Sequence, residues 1–227
     1  MTDCAPKAEL MRSLGRLVRG LSALFWGLPL ALVVSVYVGT NEWVRSTQMI
    51  APTITLGLLF YGLALLSDFQ KQERIWRDAI ERAKMLALVN VGLSPFIYWY
   101  NRVPEERLFL LAVMLLMVTG LLFLFNLNHV LQRLAAMLPD ETLRSETRVF
   151  GNLNLSLLTL ILVLFAGFIF LNNLGGMPEH VSKVMRILWV LKEGLLVSLI
   201  LLPMAMTMTL IWKIKEVIFA SVFSTSE

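Results

Sequence analysis

Residues 108–127 read LFLLAVMLLMVTGLLFLFNL, a run without a single Asp, Glu, Lys, Arg or His. At 1.5 Å per residue a helix of this length is about 30 Å long, the thickness of the hydrocarbon core of a bilayer. Five further runs share its character: 21–39, 50–66, 85–100, 153–171 and 195–212. Together the six take nearly half the chain, and all charge falls in the segments between them. In lipid a backbone must satisfy its own N–H and C=O groups, which leaves such runs the helix. The pattern predicts an all-α fold, a polytopic six-helix transmembrane bundle built as three hairpins.

Composition agrees. Hydrophobic residues make up 57% of the 227 and the mean hydropathy is +0.72, against about 45–50% apolar residues in soluble domains. The connecting segments are too short to fold alone, so residues 1–227 are expected to form a single membrane domain. Residues 1–20 form a basic amphipathic N-terminal segment and 213–227 a cytoplasmic tail. The stretch 1–20 is long and charged, and the run after it is a full span. The expectation is therefore a retained first helix rather than a cleaved leader.

Charge placement sets the orientation. Of the 20 Lys and Arg, 14 lie in 1–20, in the loops after the second and fourth runs, and in the tail. The alternate loops hold 5, and Lys192 stands at a helix end. By the positive-inside rule both termini are cytoplasmic, N-in and C-in, in a plasma (inner) membrane. Trp43, Tyr98, Trp99, Tyr100 and Trp189 then form the outer aromatic belt.

The cytoplasmic side is expected to be helical and amphipathic. Within 67–84, Phe69, Trp76, Ile80 and Ala83 share a face, and Glu73/Arg77, Arg74/Asp78, Arg77/Glu81 and Asp78/Arg82 are i,i+4 pairs. One continuous helix is expected there, presenting Phe69, Trp76, Arg77 and Ile80 to a partner. A similar helix over 128–138 stops at Pro139, and Asp140 is the N-cap of the next. Leu10, Leu14, Leu17 and Leu21 face away from Arg12, Arg16 and Arg19, the pattern of an interfacial helix on anionic lipid.

Two constellations lie within the runs. Ala23, Gly27, Ala31, Ser35 and Gly39 recur every fourth residue, a groove that admits another helix closely. It serves either a seam between molecules or packing within the bundle. Asn90 with Ser94, and Asn152 with Ser156 and Thr159, form polar faces. These line a path for a neutral solute or make hydrogen bonds between helices. Pro29, Pro95 and Pro203 mark kinks. A weak repeat relates Gly27-Leu28-Pro29 to Gly92-Leu93-Ser94-Pro95, and residues 57–60 to 120–123 (both GLLF).

Other features count for less. Lys192-Glu193 snorkels to the outer interface. Met204, Met206 and Met208, with Met114 and Met117, fill gaps rather than bind a soft metal. Cys4 is alone and His129 and His180 lie on opposite sides, so no metal site is expected. There is no H-E-x-x-H, no G-x-S-x-G, no phosphate-binding glycine loop and no embedded carboxylate pair. No catalytic residue, cofactor or nucleic acid is therefore expected. The expected partners are the lipid bilayer and either further copies of the chain or another membrane protein. The expected function is a non-enzymatic subunit that packs, anchors or assembles a larger membrane complex or homo-oligomer. The alternative is a small channel or carrier for a neutral or apolar solute, working as an oligomer.

Overall fold

The computed structural model describes residues 4–40, 50–70, 72–138, 140–173 and 192–223, without the side chains at 4–11, 37–40, 165, 168–173, 192–199 and 221–223. The described residues are all helical apart from turns. The helices are α1 (Cys4–Thr40), α2 (Ile50–Leu66), α3 (Arg74–Leu93), α4 (Pro95–Arg102), α5 (Arg107–Met137), α6 (Glu141–Asn173) and α7 (Lys192–Phe223). Among the described residues three stretches are long and apolar enough to cross a membrane: Arg12–Val36, Arg107–Met137 and Glu141–Leu164. Ile50–Leu66 is apolar but shorter. The run 85–100 is divided between α3 and α4, because Pro95 cannot continue the hydrogen-bond ladder of α3. Ser94 stays in helical conformation at the joint, with φ −58° and ψ −36°, so the two pieces form one bent rod. Pro29 and Pro203 lie inside unbroken helices.

The helices pack as a closed ring. α1 lies along α2, α2 on α3, α3 on α5, α5 on α6, α6 on α7, and α7 returns to α1. Phe25 and Trp212 meet at that last junction, with ring centroids 5.9 Å apart. The core gathers toward the charged end of the bundle. Leu17, Leu21 and Leu24 of α1 are fully buried there with Leu63 and Leu66 of α2. Trp76 and Ile80 of α3, Leu131 and Leu134 of α5, and Ile214 and Ile218 of α7 complete it. Toward the opposite end Val33, Val36, Ile54, Leu111 and Val163 stay exposed. The physical reason is the solvent. Lipid tails are as apolar as these side chains and give no drive to bury them, whereas water at the charged end does.

Two expectations about that end change. The stretch 67–84 is not one helix: α2 stops at Leu66, residues 67–70 turn, and α3 begins at Arg74. Gln70 takes a left-handed φ of 44°. The turn folds Phe69 back on Trp76, whose indole N–H donates to the Phe69 carbonyl at 2.8 Å. That buried tryptophan gains more from the hairpin than the local ion pairs gain from a straight helix. Of the four i,i+4 pairs, Arg77–Glu81 closes, at 3.9 Å. The N-terminal segment is likewise the first part of α1 rather than a separate helix. Its apolar face meets protein, since Leu17 and Leu21 are buried, and Arg16 holds Asp68 at 2.7 Å.

The cap at Asp140 is as expected. Its Oδ1 accepts from the Thr142 hydroxyl at 2.6 Å and from the backbone N–H groups of Thr142 and Leu143 at 2.9 and 3.1 Å. The Thr142 hydroxyl, then the Leu143 N–H, hold the carboxyl below its ordinary range. A depressed acid contributes its stability above its unfolded pKa and loses it as pH falls through the folded value. Asp140→Ala should therefore speed amide exchange in the first turn of α6 at neutral pH, and Asp140→Asn should restore most of the protection. Acidification into the depressed carboxylate range should bring the native chain to the level of Asp140→Asn and not of Asp140→Ala, since the protonated acid keeps an acceptor oxygen. Identical exchange in all three would show that the cap contributes nothing.

Candidate functional site

The largest polar cluster within the ring joins α5, α6 and α7, where the sequence placed two asparagines and a threonine in apolar surroundings. Asn128, Asn154 and Thr207 are each fully buried. The Asn154 amide nitrogen donates to Asn128 Oδ1 at 2.9 Å, to Thr207 Oγ1 at 3.0 Å and to the Pro203 carbonyl at 3.1 Å. Asn128 donates to Thr207 Oγ1 at 2.8 Å and to the Leu124 carbonyl at 2.9 Å. Thr207 in turn donates to the Pro203 carbonyl at 2.7 Å. The cluster therefore stands one turn after the proline of α7 and ties three helices together.

One turn nearer the charged end, Gln132 of α5 lies over Gly151 of α6. A Cβ at 151 would come within 2.8 Å of Gln132 Cγ and Cδ, so glycine is what admits the glutamine. Gln132 Nε2, Thr147 Oγ1 and Asn154 Oδ1 are buried without a hydrogen-bond partner among the described residues. All three lie on the α5–α6 seam. An unpaired buried polar atom costs about 1–3 kcal/mol, so this seam offers neutral hydrogen-bonding capacity that the described residues leave unused. It offers no acid or base. Among the described residues no group of three His, Cys, Asp or Glu could hold a metal.

The residues singled out in the sequence fall into three groups. Asn90 and Ser94 are buried and make hydrogen bonds between helices. The Thr119 hydroxyl donates to Asn90 Oδ1 at 2.6 Å, and Ser94 Oγ and Thr53 Oγ1 are 2.9 Å apart. Asn152, Ser156 and Thr159 are instead exposed, and the two hydroxyls bond to carbonyls of their own helix. The two polar faces thus do not meet. Trp76 and Ile80 are 1% exposed, within the chain's own core, with Phe69 packed against it. Of that expected partner surface only Arg77 faces outward.

The small-residue series faces inward for part of its length. A Cβ on Gly27 would stand 2.7 Å from Leu59 Cδ2 of α2, and Ala31 is 7% exposed. Ala23 and Ser35 are half-buried, and Gly39 is helical with its surroundings outside the described residues. The closest approach lies one turn before the series, at Gly20, opposite Gly62 of α2. The GLP repeat has no packing counterpart, because Gly92 meets open space where Gly27 meets Leu59. Gly27→Ile with Ala31→Ile should therefore lower the unfolding midpoint of the monomer in detergent, by about 1–3 kcal/mol of overpacking. A variant with an unchanged midpoint would place this face in contact with lipid. Trp43, Trp189, His180 and the flanks of the outer loops lie outside the described residues, as do the side chains of Cys4, Lys192 and Glu193.

The residues the sequence did not flag are Asn128, Asn154, Gln132 and Thr207. Their signal was available as amides and a hydroxyl inside or bordering apolar runs. What was missing was the face on which each would fall.

No family model, curated protein or solved structure matches the chain.

Proposed function

We propose that this protein is a non-enzymatic integral membrane subunit of six spans with both termini cytoplasmic. It assembles with further copies of itself or with another membrane protein through the outward face of α6. One observation carries this. Asn152, Ser156, Thr159, Val163 and Ala166 are all exposed along one side of α6, and Gly167 beside them has open space where a side chain would stand. Small and hydroxylated residues on a membrane helix are the surface on which another helix packs closely. Gly27 and Ala31 of α1 are instead turned into the chain's own interior, Gly27 against Leu59 of α2. The polar residues inside the ring support a structural role as well, since Asn90, Ser94, Asn128 and Thr207 are engaged in bonds between helices.

The test is oxidative cross-linking in native membranes with single cysteines at Ser156 and Val163, in a background with Cys4 replaced by serine. A discrete cross-linked species is expected, and Thr159→Leu should reduce it. Monomer alone at both positions would defeat the proposal. Reporter fusions at Pro104 should report outside, and fusions at Asp78 and Ser145 inside. A second function, passage of a neutral solute, draws support from Gln132 Nε2, Thr147 Oγ1 and Asn154 Oδ1, which have no partner among the described residues. Against it, buried Phe123 and Leu158 follow the cluster toward the opposite end. Release of a small neutral solute from vesicles, matched against empty vesicles, distinguishes the two.

A further inference from the structure

Between α3 and α5 lies an open cleft of about 480 Å³ lined by Asp78, Glu81, Arg82, Met85, Leu86 and Asn126. We propose that it binds the headgroup of a zwitterionic phospholipid bearing a primary ammonium, of the phosphatidylethanolamine class. The inference needs only that the chain lies in a bilayer with the junction of 84 and 85 near the hydrocarbon boundary.

The order of the lining residues along α3 matches such a lipid. Asp78, Glu81, Arg82 and Met85 recur at helical spacing on one face, and 78 to 85 covers about 10 Å of helix. The charged residues come first, in the segment between apolar runs, and the apolar residues follow inside the run 85–100. Above the cleft Met85, Leu88 and Val89 remain exposed, 64%, 53% and 40%, and continue as an apolar track for an acyl chain. Across the cleft the Asn126 amide nitrogen donates to the Leu122 carbonyl at 2.8 Å, a bond that does not use its side-chain oxygen.

Charge distinguishes among lipids. Asp78 and Arg82 stand four residues apart, yet among the described residues they form no ion pair with each other. Both signs are therefore presented to the cleft. A phosphate facing Arg82 and an ammonium facing Asp78 and Glu81 would satisfy both signs at once. A purely anionic headgroup would leave Asp78 unmatched, since Glu81 alone has a neighbouring cation, Arg77 at 3.9 Å. A choline headgroup has no N–H to donate and is held by aromatic cages, and no aromatic side chain lines this cleft.

The protein should be delipidated in detergent and offered dioleoyl phosphatidylethanolamine, phosphatidylcholine or phosphatidylglycerol in mixed micelles, one at a time. Retention is read by native mass spectrometry and protection by the unfolding midpoint. The ethanolamine lipid is expected to be retained best and to raise the midpoint most. Asp78→Asn with Glu81→Gln should lower its retention about tenfold, the loss of roughly one charge-assisted hydrogen bond, and abolish its advantage over the choline lipid. Equal retention of the ethanolamine and choline lipids by the unaltered protein would overturn the proposal, as would a preference for the glycerol lipid. These comparisons on the unaltered chain stand even if the double variant fails to fold. They are also independent of the α6 cross-links, so the two proposals can fail separately.

Discussion

Gly62→Leu should be among the most damaging single substitutions in this chain, and Gly20→Leu should match it. At this crossing α1 and α2 approach backbone to backbone. A Cβ on Gly62 would stand 3.0 Å from the Gly20 carbonyl oxygen and 3.0 Å from Leu24 Cγ. A Cβ on Gly20 would stand 2.8 Å from the Gly62 oxygen and 3.1 Å from Leu65 Cβ. Overpacking usually costs about 1–3 kcal/mol, and it costs most where the neighbour is backbone and cannot change rotamer. Either leucine should therefore cost about 3 kcal/mol or more, and even alanine should be felt. Gly57 is the control, since open space surrounds it and it lies in the same helix as Gly62. Gly57→Ala should be neutral or stabilising by up to about 1 kcal/mol, from helix propensity alone. Unfolding midpoints in detergent for the three alanine variants give the comparison. If 20 and 62 behave like 57, the two helices do not cross there.

Trp76→Ala should be of similar size. The indole is 1% exposed, stands edge-on to Phe69 at 6.3 Å, and is bonded to the Phe69 carbonyl. Truncating a buried tryptophan costs about 3–5 kcal/mol. Trp76→Phe keeps most of the volume and loses the N–H donor, for about 1 kcal/mol. The gap between the two separates packing from hydrogen bonding. Because the indole pins the turn at 67–70, the alanine variant should also open that turn, read as proteolytic cleavage near Gln70. Equal midpoints for the alanine and phenylalanine variants would show that the site collapses freely and that the tryptophan is not its anchor.

The site was less legible than the elements that hold it. Asn90 and Ser94 were visible as polar residues on one face, and both make bonds between helices. Asn152, Ser156 and Thr159 were equally visible and lie on the outside. The amides that tie α5, α6 and α7 together were passed over. Trp76 and Ile80 carried a true amphipathic signal, but such a signal says only that a face leaves water. It does not say whether a partner or the chain's own core receives it, and here α2 and α5 do.

By itself the sequence determined the all-helical class, the exclusion of charge from the apolar runs, an irregularity at Pro95 and the cap at Asp140. Each is a local matter: run length, a missing N–H, a carboxylate two and three residues before the donors it serves. Only the tertiary structure decided which side of each apolar helix meets another helix. In a uniformly apolar helix no contrast between polar and apolar faces points inward, because lipid and protein interior are alike to a leucine. Asn152 and Asn154 make the case. They are two residues and about 200° apart on α6, and the first is exposed while the second is fully buried among Asn128, Pro203 and Thr207.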